Sequence, residues 1–188
     1  FKLKDRIILS ITNKFLTRLF DKYFEESALA FRAVNFVNGK PIIKNHHTAI
    51  ERILEYKKGK YQDVRLNVAE CDMKKFYDSV NHKICMNSFY QLIARVKADN
   101  NNIDLEKVTN VFEAYLKCYS FQDNVLILNK DNDVYWEEKK VQGRYPWIEK
   151  DIEASDYYKK NTQDRIGVPQ GGALSGLIAN IVLDDADK

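Results

Sequence analysis

The chain lacks the pairings and long apolar runs that most quickly assign a sequence to a class. Its three cysteines, at positions 71, 85 and 118, are odd in number, widely spaced and without a Cys-x-x-Cys pair, which argues against a disulfide framework and a thiolate zinc site. No apolar run approaches the ~20 residues needed to cross a bilayer, so no membrane partner is expected. No signal-peptide pattern opens the sequence, and the cysteine usage fits a reducing compartment, so a cytoplasmic location is expected. Charge of one sign is also scarce. Thirty basic residues against 27 acidic ones leave a net +3, and bulk charge therefore does not establish a nucleic-acid partner. The short basic clusters at Lys57, Lys58 and Lys60, at Lys74 and Lys75, and at Lys139 and Lys140 have the ordinary reading of solvated faces. Internal repeats and low-complexity tracts are absent. No Met opens the chain at Phe1, and Asp187-Lys188 follows an apolar run directly, so both ends read as those of a piece of a longer protein.

What is present is apolar material: 188 residues, 45% hydrophobic and 12% aromatic, enough for one domain with a proper core. Ile8, Ile11, Phe15, Leu16, Leu19, Phe20 and Tyr23 recur at helical spacing and predict an amphipathic helix over 8–24. After an irregular stretch with Gly39 and Pro41, Asn45 can cap a second helix that buries Ile50, Ile53 and Leu54 and ends near Gly59. Val64, Leu66 and Val68 alternate with polar residues, the period of a half-buried strand running to Asp72. Ser79 and Asn81 offer caps for a helix to about Val96, and Leu105, Val108, Phe112, Tyr115, Leu116 and Tyr119 mark another. Val125 to Leu128 and Val134 to Trp136 flank a turn-forming Lys130-Asp131-Asn132-Asp133, which predicts a hairpin. Residues 142–165 read as an irregular polar insertion. Leu174, Leu177, Ile178, Ile181 and Val182 form the stripe of a last helix, directly after Pro169-Gln170-Gly171-Gly172.

Two strings carry chemistry. Cys71-Asp72-Met73-Lys74-Lys75-Phe76-Tyr77-Asp78-Ser79-Val80-Asn81-His82 sets a carboxylate at a strand end with two aromatics following. Nucleotidyl transfer needs such a carboxylate, because divalent cations held by carboxylates neutralise the crowded phosphorus centre and activate the attacking hydroxyl. A following aromatic can lie against the sugar and leave no room for a 2′-hydroxyl. The same string also fits an ordinary turn before a capped helix, with Asp78 as a capping residue and His82 as a packing residue. The second string, Gly167-Val168-Pro169-Gln170-Gly171-Gly172-Ala173-Leu174-Ser175, puts a stiff Pro before two residues without side chains at a helix mouth. Backbone there can approach a ligand closely, and Gln170 can offer its amide to a sugar or triphosphate.

Together with Ala179-Asn180-Ile181-Val182-Leu183, these strings resemble motifs A and B of reverse transcriptases, especially the group II intron and related bacterial lineages. Asp5-Arg6-Ile7 and Ala30-Phe31-Arg32 resemble the fingers blocks of that family. The resemblance implies an α+β fold, the fingers and partial palm of a right-hand polymerase, with helices on a small antiparallel sheet. Its segments would be helical fingers over 1–62, a motif A strand and helices with an inserted hairpin and insertion (about 120–165) over 63–165, and the motif B loop and helix over 166–188. It implies an RNA-directed DNA polymerase that uses deoxynucleoside triphosphates on an RNA template with a DNA or RNA primer, and two magnesium ions, or manganese in their place. Carried over by position, Asp72 would be the catalytic metal ligand and the Met73 carbonyl a second ligand. Tyr77 would be the sugar gate beside Phe76, and Gln170 and Gly171 would line the nucleotide. Arg6 and Arg32 would organise the fingers near the triphosphate.

The remaining carboxylates, a Tyr-x-Asp-Asp hairpin in the family, have no match here and would lie beyond Lys188, as would the thumb, so these residues alone are not expected to polymerise. Asp184-Asp185 follows a helix and is not expected to bind metal. Gly176 stands where the family has Pro, and the longer stretch between motifs points toward the unclassified bacterial enzymes, many of them associated with antiviral defence. An RNA-dependent RNA polymerase is the near alternative, disfavoured by Tyr77. A non-catalytic palm-like module that binds nucleic acid or protein is the more distant one.

Overall fold

The computed structural model describes residues 2–187 apart from Gly39, Ile43, Asp63, Leu66, Val68, Lys74 and 127–163. Helix α1 spans Leu3–Phe20 and runs into a 3-10 turn over Asp21–Tyr23. Strands β1 (Asn35–Val37) and β2 (Lys40–Ile42) follow, then α2 (His46–Lys60), the single turn α3 (Phe76–Ser79), α4 (His82–Asp99), α5 (Glu106–Lys117) and α6 (Ser175–Leu183). The architecture is thus mixed, helices with a two-stranded antiparallel sheet among the described residues.

Local chemistry explains most boundaries. Asn45 caps α2 by accepting the His47 and Thr48 amides, and Asn81 caps α4 by accepting those of Lys83 and Ile84; each satisfies amides that have no partner inside the helix. In the β1–β2 ladder Asn35 faces Ile42 and Val37 faces Lys40, and Asn38 takes a left-handed φ of 52°. This stretch was expected to be irregular, although its Asn38-Gly39, between Phe36-Val37 and Lys40-Pro41-Ile42, is a strong short hairpin signal.

The core joins all three segments distinguished in the sequence. Leu9, Leu16 and Phe20 of α1 meet Cys85, Phe89, Leu92, Ile93 and Val96 of α4, Phe112, Tyr115 and Leu116 of α5, and Leu177, Ile178 and Ile181 of α6. Phe89 and Phe112 stack with centroids 4.0 Å apart and planes 6° from parallel, and Phe20 meets Phe89 edge-on at 5.8 Å. Such pairs add specific geometry to the burial of large apolar surfaces.

Several expectations are corrected. The buried face of α1 is Leu9, Thr12, Leu16 and Phe20, whereas Ile8, Ile11 and Phe15 are 50%, 63% and 39% exposed. The helix carries two apolar stripes, and a 3.6-residue period does not say which one is covered. Ile50, Ile53 and Leu54 of α2, expected to be buried, are also exposed. The described residues among 64–73 form no strand, and Val64 is exposed. Alternation sorts side chains onto two faces, but a strand exists only where a ladder partner takes its amides and carbonyls, and none pairs with this stretch among the described residues. The small palm sheet implied by the resemblance is therefore not found among them. Val125 and Leu126 belong to a π-helical turn, Gln122–Leu126, instead of the first strand of a hairpin. The rest of that hairpin and nearly all of the insertion lie outside the described residues. No described helix is long and apolar enough to cross a membrane.

Candidate functional site

The two chemistry-bearing strings, some eighty residues apart in sequence, meet in space. Residues 77–82 and 165–168 run side by side: the Val168 amide donates to the Tyr77 carbonyl at 2.7 Å, that of Gly167 to Val80 at 2.8 Å, and that of His82 to Arg165 at 2.9 Å. Asn81 and Ile166 form an isolated antiparallel bridge. Ile166 also accepts the Phe121 amide at 2.7 Å, so the end of the α5 connection is stitched to the same segment. Backbone pairing of this kind fixes relative position because buried amides and carbonyls must be satisfied.

His82 reinforces the joint. It is buried, and its Nε2 lies 2.6 Å from the Gly167 carbonyl. A carbonyl can only accept, so Nε2 carries the proton. Burial pushes the imidazole below its usual range; the Gly167 bond pulls the other way and the Arg165 charge adds to the lowering. Its role is packing and hydrogen bonding, as the residue's ordinary reading implies. Gly167 has φ +88°, and a Cβ there would sit 2.9 Å from the Phe121 Cβ and 3.0 Å from the Asp78 carbonyl. Only glycine fits that conformation and that gap.

Asp78 is corrected from helix cap to a residue inside α3; capping falls to Asn81. Burial raises its carboxyl above the ordinary range, partly offset by the Lys75 charge and a bond from Gln170, whose Nε2 is 3.5 Å from Oδ1. Gln170 is otherwise exposed, as is Gly171, which adopts φ +70° with open space where a Cβ would point. Phe76 and Tyr77 are half-buried, edge-to-face at 5.4 Å, and pack against the core. Lys75 precedes them in a left-handed conformation, φ 58°.

Asp72 and Met73 are exposed, and among the described residues no hydrogen bond or ion pair ties either to the Gln170 turn. Both offer hard oxygen donors of the type magnesium takes, yet one carboxylate and one carbonyl fall short of an octahedral shell. No described group of three or more His, Cys, Asp or Glu side chains could hold a metal. The described donor set is thus incomplete for two ions, and no step is derived through them.

Arg6 lies exposed on the first turns of α1. Arg32 is committed elsewhere. Its Nε donates to Asp21 Oδ1 at 2.8 Å, one terminal nitrogen to the Glu25 and Ala28 carbonyls, and the other to the Asp21 carbonyl at 2.6 Å. With a side chain only 5% exposed, it organises residues 21–33, and a triphosphate contact would require breaking these bonds. Burial raises the Asp21 carboxyl, but the Arg32 bond, the Ala33 amide and the charges of Arg32 and Lys44 outweigh it and leave the group below its ordinary range.

The partners of α6 are not visible in the sequence. Asn180 donates its amide to the Ala30 carbonyl at 2.9 Å, and the Phe31 ring lies over Gly176, where a Cβ would come within 2.5 Å of it. Phe31, with φ 55°, borders a 390 Å³ cavity lined also by Lys14, Arg18, Gly172 and Ala173. Asp184 ends α6, buried, with Arg95 3.8 Å away. Comparison of the chain with protein-family models, curated proteins and solved structures finds no match.

Proposed function

We propose that this chain is part of an RNA-directed DNA polymerase, with residues 76–82 and 167–172 flanking the incoming deoxynucleotide. The observation that supports this reading best is the backbone pairing of Tyr77–His82 with Arg165–Val168. It sets the half-buried aromatics beside an exposed Gln170-Gly171 turn at the mouth of α6, so the two motifs that the resemblance assigns to one nucleotide site are neighbours. The start of a nine-residue helix adds a field that favours anions. In this reading Tyr77 screens the sugar, the turn lies along the nucleotide, and Asp72 contributes to a magnesium site whose other carboxylates are not among the described residues.

Primer extension by the full-length protein on RNA and DNA templates, with wild type and Asp72→Asn in parallel, tests this. Extension with deoxynucleotides that falls by three orders of magnitude or more in Asp72→Asn is the expected outcome, the scale on which an essential metal ligand acts. Extension that persists in Asp72→Asn would overturn the metal role. Absence of any extension by wild type, accompanied by nucleic-acid binding, would favour the non-catalytic module.

A further inference from the structure

The motif B turn is held from beneath by a side chain that belongs to neither motif. Tyr115, on the buried face of α5 and 2% exposed, brings its hydroxyl to 3.0 Å from Ser175 Oγ, and Ser175 Oγ lies 2.6 Å from the Pro169 carbonyl. A carbonyl cannot donate, so the single Ser175 proton goes to Pro169 and the Tyr115 hydroxyl must donate to Ser175. The direction of the chain is therefore fixed: phenol to serine to carbonyl. The same carbonyl accepts the Gly172 amide at 3.0 Å, and the Gly172 carbonyl accepts the Ser175 amide at 3.1 Å.

The second glycine owes its place to this brace. A Cβ on Gly172 would overlap the Tyr115 hydroxyl and sit 2.7 Å from Ser175 Oγ, whereas one on Gly171 would meet open space. The paired glycines thus divide their work: Gly171 supplies a left-handed backbone on the outer side, and Gly172 admits the phenol on the inner side.

We propose that Tyr115 is a positioning residue that, through Ser175, sets the shape of the Gln170-Gly171-Gly172 turn presented to the nucleotide. The inference rests on the polymerase reading for its kinetic consequence but not for its structural one. Tyr115→Phe keeps the ring in the core and removes the donor; Ser175→Ala breaks the relay at its other end. In the full-length protein, each raises the KM for deoxynucleotide about tenfold, the scale of one buried hydrogen bond, with kcat and the KM for template–primer within twofold. The double variant shows little more than either single one, since both cut the same relay. Amide hydrogen exchange supplies a readout independent of catalysis. Both variants accelerate exchange at Gly172 and Ser175 about tenfold while the α4 amides keep their protection. Acceleration spread equally over α4 and α5 would reduce Tyr115 to a core residue, and unchanged exchange at Gly172 and Ser175 would overturn the brace whether or not the protein polymerises. Asp72-dependent extension with an unaltered nucleotide KM in both variants would refute the positioning role and leave the polymerase reading intact.

Discussion

Gly167→Ala is the substitution whose cost the structure defines most sharply. A left-handed backbone, φ +88° at this residue, costs alanine about 1–2 kcal/mol relative to glycine. The new methyl would also crowd the Phe121 Cβ at 2.9 Å and the Asp78 carbonyl at 3.0 Å. Neither is the free end of a flexible side chain, so the neighbours must shift, at about 1–3 kcal/mol for overpacking of this kind. The sum is about 2–5 kcal/mol. Gly171→Ala provides the internal control, because φ there is +70° but nothing lies within reach of the methyl; only the conformational cost of about 1–2 kcal/mol applies. Urea unfolding followed by circular dichroism measures both, and the crowding appears as a midpoint about 0.5–2 M lower for Gly167→Ala than for Gly171→Ala at unchanged slope. Equal midpoints would refute the argument that residues 165–168 are wedged between α3 and Phe121.

Two further outcomes concern Arg32 and His82. Arg32→Ala strips Asp21 of its guanidinium and leaves the Glu25 and Ala28 carbonyls without that donor, at about 1–3 kcal/mol for a half-buried, multiply bonded pair. A calorimetric Tm lower by about 2–12 °C is expected for a chain of this size; an unchanged Tm would mean that the 21–33 segment is held by other contacts. His82 makes stability depend on pH with a definite sign. Its folded-state value lies below the ordinary 6.5, so the unfolded chain binds a proton first and the stabilisation present above pH 6.5 is lost as pH falls. Between pH 6.5 and 5, wild type should lose more stability in urea titrations than His82→Gln, and a slope no steeper than the variant's would contradict the buried neutral imidazole.

The elements with their own chemistry were legible in the sequence. Asn45 and Asn81 cap helices where their side chains predict it, and the stripe from Leu174 to Ile181 marks the buried face of α6. Arrangement between elements was less so. The apolar positions of α1 and α2 predict helices correctly but not which stripe is covered, since coverage depends on residues far along the chain. Val64 to Asp72 has the alternation of a strand, yet pairing is a property of two segments, and none is supplied among the described residues. At the candidate site, the two motif strings named segments that meet, although the pairing of residues 77–82 with 165–168 is itself a structural finding. The role of Tyr115 was not legible, and for Arg32 an organising role was expected but not the partners that carry it. A tyrosine at core spacing gives no hint that its hydroxyl reaches a serine sixty residues on, and an arginine after an aromatic does not announce that its donors are turned on neighbouring carbonyls.

Gly176 ties the start of α6 to a residue far back along the chain. It is the second residue of α6, a helix position whose amide needs no partner within the helix, so the backbone itself would tolerate a proline there. What forbids it is the Phe31 ring overhead. Gly176→Pro should therefore destabilise the fold unless position 31 is trimmed in the same step, and Gly176→Pro with Phe31→Ala should recover: the two sites, 145 residues apart by their numbers, form a single unit of exchange.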